Sequence, residues 1–261
     1  MRVACTFVRV RKLQQKRGWV FTVGASILKP LFFLTTKPEW SDGEKIPATG
    51  GCVIALNHVT KIDPLTAAHF VYDHGRLPRY LAKADLFKNK ALARFLIDGG
   101  QIPVERLTRN AVGAFDAAVA AVNAGECIVV YPEGTITRDP DLWPMTGKSG
   151  AARIALATGC PVIPVGHWGA HELLAPYSKK PDLFPRKRIV VKAGDPVDLG
   201  DLLEKEPTAA VIQEATDRIM AAITALVEDI RGEQAPTERF DPRRKGVSEI
   251  GNPNAKRRDE K

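Results

Sequence analysis

A chain of 261 residues with 44% hydrophobic content is long enough to bury one sizeable core and too apolar to be disordered throughout. Its net charge of +8 points to anionic partners, yet no paired-cysteine zinc spacing and no aromatic–basic strand motif favours nucleic acid, so membrane lipids and phosphorylated substrates remain. Cys5, Cys52, Cys127 and Cys160 are scattered along the chain, which fits a reducing cytosolic setting and implies no disulfide framework.

The first element is a basic arm. Arg2, Arg9, Arg11, Lys12, Lys16 and Arg17 are followed by an apolar stretch from Gly18 to Leu34, interrupted by Lys29-Pro30. A membrane-spanning helix wants about 20 apolar residues; this stretch is shorter and carries a charge near its middle. A signal peptide would need an Ala-x-Ala-type cleavage site, and none follows. A solvated arm leading to a core helix is the plain alternative. The preferred reading of residues 1–36 is a basic arm and interfacial segment lying on an anionic leaflet. That places the protein at the cytoplasmic face of the cell membrane, peripheral or monotopic.

Residues 37–234 read as a single α/β domain with a largely parallel mixed sheet flanked by helices. Cys52 to Leu56 is a buried strand opened by Gly50-Gly51. Asp63-Pro64 marks a helix start, with Asp as N-cap and Pro at the first helical position; that helix runs to about Asp73, before Gly75. Tyr80 to Lys83 is a short strand, Leu86 to Ile97 a helix, and Ile102 to Val104 a strand. Thr108 to Asn123 is an Ala-rich helix, Cys127 to Tyr131 a buried strand, and Lys148 to Thr158 a helix closed by Gly159. The last strands are Val162 to Val165 and Ile189 to Ala193. Pro207 to about Arg231 is an amphipathic helix, with Val211, Ile212, Ala215, Ile219, Ile223 and Leu226 at helical spacing. Residues 235–261 are polar, basic and without apolar period, and are expected to be a disordered tail. Strands alternating with helices imply a parallel sheet, whose sites form at the carboxyl ends of strands.

His58 and Asp63 follow the strand at 52–56 at a spacing of five. Histidine titrates near neutrality and can take a proton from an alcohol. A neighbouring carboxylate can hold the ring in one tautomer and stabilise the imidazolium. The spacing alone is weak, since a loop histidine bonded locally and an N-cap aspartate would give the same pattern. Its weight comes from three blocks further along the chain: Gly100-Gln101-Ile102-Pro103-Val104-Glu105-Arg106, then Val129-Val130-Tyr131-Pro132-Glu133-Gly134-Thr135, then Pro161-Val162-Ile163-Pro164-Val165. From about residue 50 to 200, the histidine loop and these blocks, in this order, resemble the glycerolipid acyltransferase family, that of 1-acyl-glycerol-3-phosphate (lysophosphatidic acid) acyltransferases. Lys83 in Tyr80-Leu81-Ala82-Lys83 and the run Lys148-Ser149-Gly150 also resemble the family.

The resemblance implies an O-acyltransferase of phospholipid biosynthesis, in which His58 is the general base and Asp63 orients it. It implies a lysophospholipid acceptor, acyl-CoA or acyl-carrier protein as co-substrate, and no further cofactor. Lys83, Arg106, Glu133, Gly134, Thr135 and Arg138 are the candidate substrate-binding residues. Arg106 is a fork donor to phosphate, or else a solvated arginine. Glu133 either orients Arg or Lys side chains or bonds a glycerol hydroxyl, unless it is a turn residue. Pro164 either belongs to the acceptor block or ends a strand. One position departs from the family: Ile136 stands where Arg usually follows Glu-Gly-Thr, and Arg138 comes two later. This leaves room for glycerol-3-phosphate or another lysolipid as acceptor, and a hydrolase could use the same His–Asp pair on water.

Three further patterns carry less. Gly147-Lys148-Ser149 lacks the glycine that a P-loop needs five residues earlier, where Leu142 stands. His167 with His171, and His69 with His74, find no third ligand at convincing spacing, so no metal is expected. Lys179, Lys180, Arg186, Lys187 and Arg188 surround Leu183 and Phe184, a solvated loop or one that meets lipid headgroups or the phosphates of an acyl carrier.

Overall fold

The computed structural model describes residues 11–104, 111–248 and 251–252. In chain order the helices are α1 (Trp19–Thr35), α2 (Asp63–Asp73), α3 (Lys90–Asp98), α4 (Ala111–Asn123), α5 (Gly150–Thr158), α6 (Ala170–Leu173), α7 (Gly200–Leu203) and α8 (Ala209–Arg231). The strands are β1 (Thr36–Ser41), β2 (Cys52–Leu56), β3 (Pro78–Lys83), β4 (Ile102–Val104), β5 (Cys127–Val130), β6 (Val162–Trp168) and β7 (Lys187–Ala193). They form one sheet in the order β1-β7-β6-β2-β5-β3-β4. Every neighbouring pair is parallel except β6 with β7. This is the α/β class expected, with a mixed, mostly parallel sheet.

The central strand β2 is buried at all five positions, as a strand covered on both faces must be. Its alternate residues serve two cores. Cys52, Ile54 and Leu56 join Phe32, Trp40, Ala67 and Phe70 beneath α1 and α2. Val53 and Ala55 join Ala118, Ala152, Ile154, Ile219 and Ile223 beneath α4, α5 and α8. The long helix α8 starts at Thr208, whose side chain accepts from the amide of Val211, and stops at Gly232 in the left-handed conformation, a cap that favours glycine.

Several details differ from the sequence reading, among them β1, the Asp63 cap and the tail. β1 was not expected, because Thr36-Lys37-Pro38-Glu39-Trp40-Ser41 is polar and contains proline; it is an edge strand, where a missing N–H is tolerated. Asp63 does not cap α2: its carboxylate turns back to the amides of Val59 and Thr60. The described part of the tail lies along the fold, with the Thr146 amide bonded to Phe240 O and the Ala235 amide to Glu228 Oε1. Individual polar contacts hold it there, which an apolar period cannot reveal. Residues 253–261 lie outside the described residues. Among the described residues, no helix is long and apolar enough to cross a membrane.

Candidate active site

The β2 strand delivers Asn57 and His58 to the carboxyl edge of the sheet, and β5 delivers Tyr131 and Glu133 beside them because β2 and β5 are parallel neighbours. The His58 Nδ1–Asp63 Oδ2 distance is 2.8 Å. A carboxylate only accepts, so Nδ1 carries the proton and Nε2 is left with its lone pair. The same Oδ2 also accepts from Val59 N at 2.6 Å and Thr60 N at 2.8 Å. One buried oxygen thereby fixes both the loop backbone and the ring, from the rigid start of α2. The Tyr131 ring stacks on the imidazole, centroids 4.4 Å apart. His58 keeps 16% of its side chain exposed, while Asp63 keeps none.

Glu133 holds the loop from the other side. Its Oε1 accepts from the His58 amide at 2.7 Å and its Oε2 from the Met145 amide at 3.0 Å. Both oxygens therefore face backbone amides, whereas the sequence suggested Arg or Lys side chains or a glycerol hydroxyl as partners. Burial pushes the carboxyl up to about 8, against the opposing pull of the Met145 and His58 amide bonds. Gly134 follows with φ +69°, and a Cβ there would lie 3.0 Å from Cδ of Lys148; both the backbone and the lysine stem favour glycine. The next residues run alongside the histidine, the Thr137 amide donating to His58 O at 2.7 Å.

Besides Tyr131, two residues supporting the site escaped the sequence reading. The Asn57 side chain bridges to β6, donating to His167 O at 3.0 Å and accepting from His167 N at 2.9 Å. His167 Nε2 lies 2.8 Å from Asn57 O and 3.5 Å from Asp63 Oδ2. It braces the loop. Among the described residues, no group of three or more His, Cys, Asp or Glu is gathered that could hold a metal ion. His74 instead has Nδ1 2.7 Å from Phe70 O, and His69 packs against Asp73.

The remaining candidates are not all brought to His58. Thr135 lies beside the hydroxyl of Tyr177, which donates to Ile136 O at 3.0 Å. The buried guanidinium of Arg138 also bonds the Tyr177 hydroxyl, and it reaches Ser248 O at 3.0 Å and Gly251 O at 2.8 Å. It thus ties the C-terminal segment down. Lys83 ends β3; its side chain, and the whole of Arg106, lie outside the described residues.

An apolar cavity of about 450 Å³ opens beside His58. Its walls are α1 (Phe21, Gly24, Leu28), α2 (Leu65, Ala68), α3 (Phe95) and the rings of Tyr80 and Tyr131. Nothing in the local pattern of the sequence joins residues 20–32 to His58; the cavity exists because α1 lies across the helices that follow the active loop.

Fold and site together define an α/β protein with a carboxylate-held histidine at the sheet's carboxyl rim, facing an apolar cavity. The comparisons agree. Residues 37–168 match the acyltransferase family model. The 1-acyl-sn-glycerol-3-phosphate acyltransferase of Bacillus subtilis is 29% identical over 201 residues, covering 75% of this chain and 92% of that protein. The protein of the same description from Borreliella burgdorferi is 33% identical over 123 residues, 47% of each chain. In fold, the chain resembles the crystal structure of the 1-acyl-sn-glycerophosphate acyltransferase of Thermotoga maritima, with a TM-score of 0.58 at 20% identity over 82% of this chain and 84% of that one. The chain belongs to the acyltransferase family, and is an enzyme of that kind.

Proposed function

We propose that this enzyme transfers a fatty acyl group from a thioester, acyl-CoA or acyl-carrier protein, to the free hydroxyl of 1-acyl-glycerol-3-phosphate. The observation that carries this reading is the His58–Asp63 pair opening onto an apolar cavity. His58 Nε2 takes the proton of the acceptor hydroxyl as its oxygen attacks the thioester carbonyl carbon. The tetrahedral intermediate collapses with cleavage of the C–S bond, and the thiolate leaves with the proton now on the imidazolium. Asp63 holds the ring and balances its charge in the transition state. The cavity takes an acyl chain, its area matched to hydrocarbon and not to headgroups.

The same reading gives α1 a second task. Its inner face lines the cavity, and its outer face carries Trp19, Val23, Ile27, Leu31 and Leu34, all exposed. A helix apolar on both faces, preceded by a basic arm, suits the interface of an anionic leaflet. Substrate chains would then pass from bilayer to cavity without crossing water.

The test offers labelled acyl-CoA with a panel of lysolipids, glycerol-3-phosphate and water alone, and reads the products by mass spectrometry. Diacyl-glycerol-3-phosphate is the expected product, and His58→Ala should lower its formation by about 10²–10⁴-fold. Free fatty acid without acceptor would replace the transferase reading by a hydrolase. Full turnover in a folded His58→Ala protein would remove the base.

A further inference from the structure

The outer face of α1 has a neighbour. β1 and β7 are parallel, with Thr36 opposite Lys187, so α1 and the loop preceding β7 enter the sheet side by side. Arg186 fastens them together, its Nε and Nη2 donating to Thr36 O at 2.9 and 2.5 Å. Just before these entry points stand large exposed apolar side chains: Leu34 at 65% on α1, Phe184 at 70% on the loop, with Leu183 beside it. Every residue from 179 to 186 is exposed. Because β7 runs antiparallel to β6, its start lies at the carboxyl end of β6, the edge that bears His58. The base of the loop is also tied to the active loop, Thr60 Oγ1 donating to Leu174 O at 2.5 Å.

The charge around this patch is one-sided. Residues 18–38 contain no acid. The loop carries Lys179, Lys180 and Arg186, and its one acid, Asp182, is paired with Lys187 at 2.8 Å. Exposed Leu and Phe rimmed by lysines suit neither water nor an acidic groove as well as they suit an anionic bilayer surface, which takes the apolar groups below the phosphates and the ammoniums among them.

We infer that the 179–186 loop is a second membrane contact, in which Leu183 and Phe184 enter the same anionic leaflet as the outer face of α1 while Lys179 and Lys180 meet lipid phosphates. This rests on the reading of α1 as an interfacial helix. Its consequence is orientation. One helix lying in an interface leaves the domain able to roll about the helix axis. A second contact beside its C-terminal end stops the roll and holds the His58 rim against the leaflet. Binding through two linked sites is also tighter than through either alone.

The experiment uses the full chain and vesicles of phosphatidylcholine with and without phosphatidylglycerol. Leu183→Ser/Phe184→Ser should reduce partition onto the mixed vesicles by about tenfold or more. Lys179→Gln/Lys180→Gln should reduce it by about fivefold per lysine, only where phosphatidylglycerol is present, and less at high salt. Amide hydrogen exchange of the wild-type loop should slow when vesicles are added. Turnover on a water-soluble short-chain acceptor should not change in either variant. Wild-type partition in both variants, with loop exchange indifferent to vesicles, overturns the inference. So does normal vesicle binding combined with a loss of activity confined to a carrier-protein donor, which would assign the loop to that protein. A wild-type chain that binds vesicles through the loop yet transfers no acyl group would refute the proposed reaction and leave this contact standing.

Discussion

Replacing Asp63 by asparagine keeps an acceptor where Oδ2 now sits and removes the charge. In the wild type that oxygen takes three donors, from His58 Nδ1 at 2.8 Å, Val59 N at 2.6 Å and Thr60 N at 2.8 Å. An amide oxygen can keep all three, so the loop should hold its shape. What is lost is the attraction between a carboxylate and the imidazolium that forms as the acceptor hydroxyl gives up its proton. Unit charges about 4 Å apart at an effective dielectric constant of about 20 attract by about 4 kcal/mol, which corresponds to about 10³-fold in turnover. Stability should fall by only about 1–2 kcal/mol, from the amide NH₂ now buried at Oδ1, which has no partner in the wild type. Asp63→Ala behaves differently. It strands two buried backbone amides at about 1–3 kcal/mol each and should lower the melting temperature well beyond the Asn variant. The assay is thiol release from acyl-CoA with 1-acyl-glycerol-3-phosphate, run beside thermal melts of all three proteins. Turnover near wild type in a folded Asp63→Asn protein would show that the charge does not serve the reaction. Equal melting of the Asn and Ala variants would show that the two amide bonds do not hold the loop.

Glu133→Gln removes a group whose carboxyl is raised from 4.5 to about 8 in the folded state. The folded chain keeps a proton that the unfolded chain has released, so the wild type should lose stability as pH rises through that window. The Gln variant should lack that loss; melting temperatures of the two proteins that track each other from about pH 5 to about pH 8 would refute it. The same variant sets an NH₂ against either the His58 or the Met145 amide, and turnover should drop with the displaced histidine. Gly24→Leu should fill part of the cavity, since Gly24 lines it and a Cβ there meets nothing within 4 Å; competition between long and short acyl-CoA should shift toward the short by about tenfold. Arg106→Ala should raise the KM for a phosphate-bearing acceptor more than that for the thioester, and Arg106→Lys should recover only part, because lysine cannot make the two-pronged bond. Equal changes in both KM values would take Arg106 out of the acceptor site.

Much of the local structure was legible. α2, β2 and β4 fall where the apolar runs and, for α2, Pro64 at the helix start put them, and the boundaries of β3, β5, α5 and α8 shift by a few residues only. The His58 loop could be read because its two chemical groups lie five residues apart and α2 holds one of them at its start. Asn57, Tyr131 and His167 were harder. Tyr131 stands next to the Pro132-Glu133-Gly134 turn, so a rule that searches strand ends would have found it. His167 could not be found that way, because it reaches Asp63 only once β6 pairs with β2, over a separation of more than a hundred residues.

Charge, hydrophobic period and the order of the motifs are properties of neighbours along the chain, and from them the sequence alone determined an α/β domain, a histidine–aspartate pair on a loop after a strand, and a basic, apolar N-terminus. Relations between distant segments needed the folded chain. The same Glu133 could have served a substrate or the backbone, and the parallel pairing of β2 with β5 turned both its oxygens to amides of the site. Arg138 was a candidate to meet a phosphate, and the returning C-terminal segment brings two carbonyls to its guanidinium. The residues of α1 read as an anchor in preference to a core helix, and packing across α2 and α3 made one face a cavity wall while leaving the other exposed. In each case the side chain has several partners of similar intrinsic strength, and only sheet order and helix packing decide which of them is within reach.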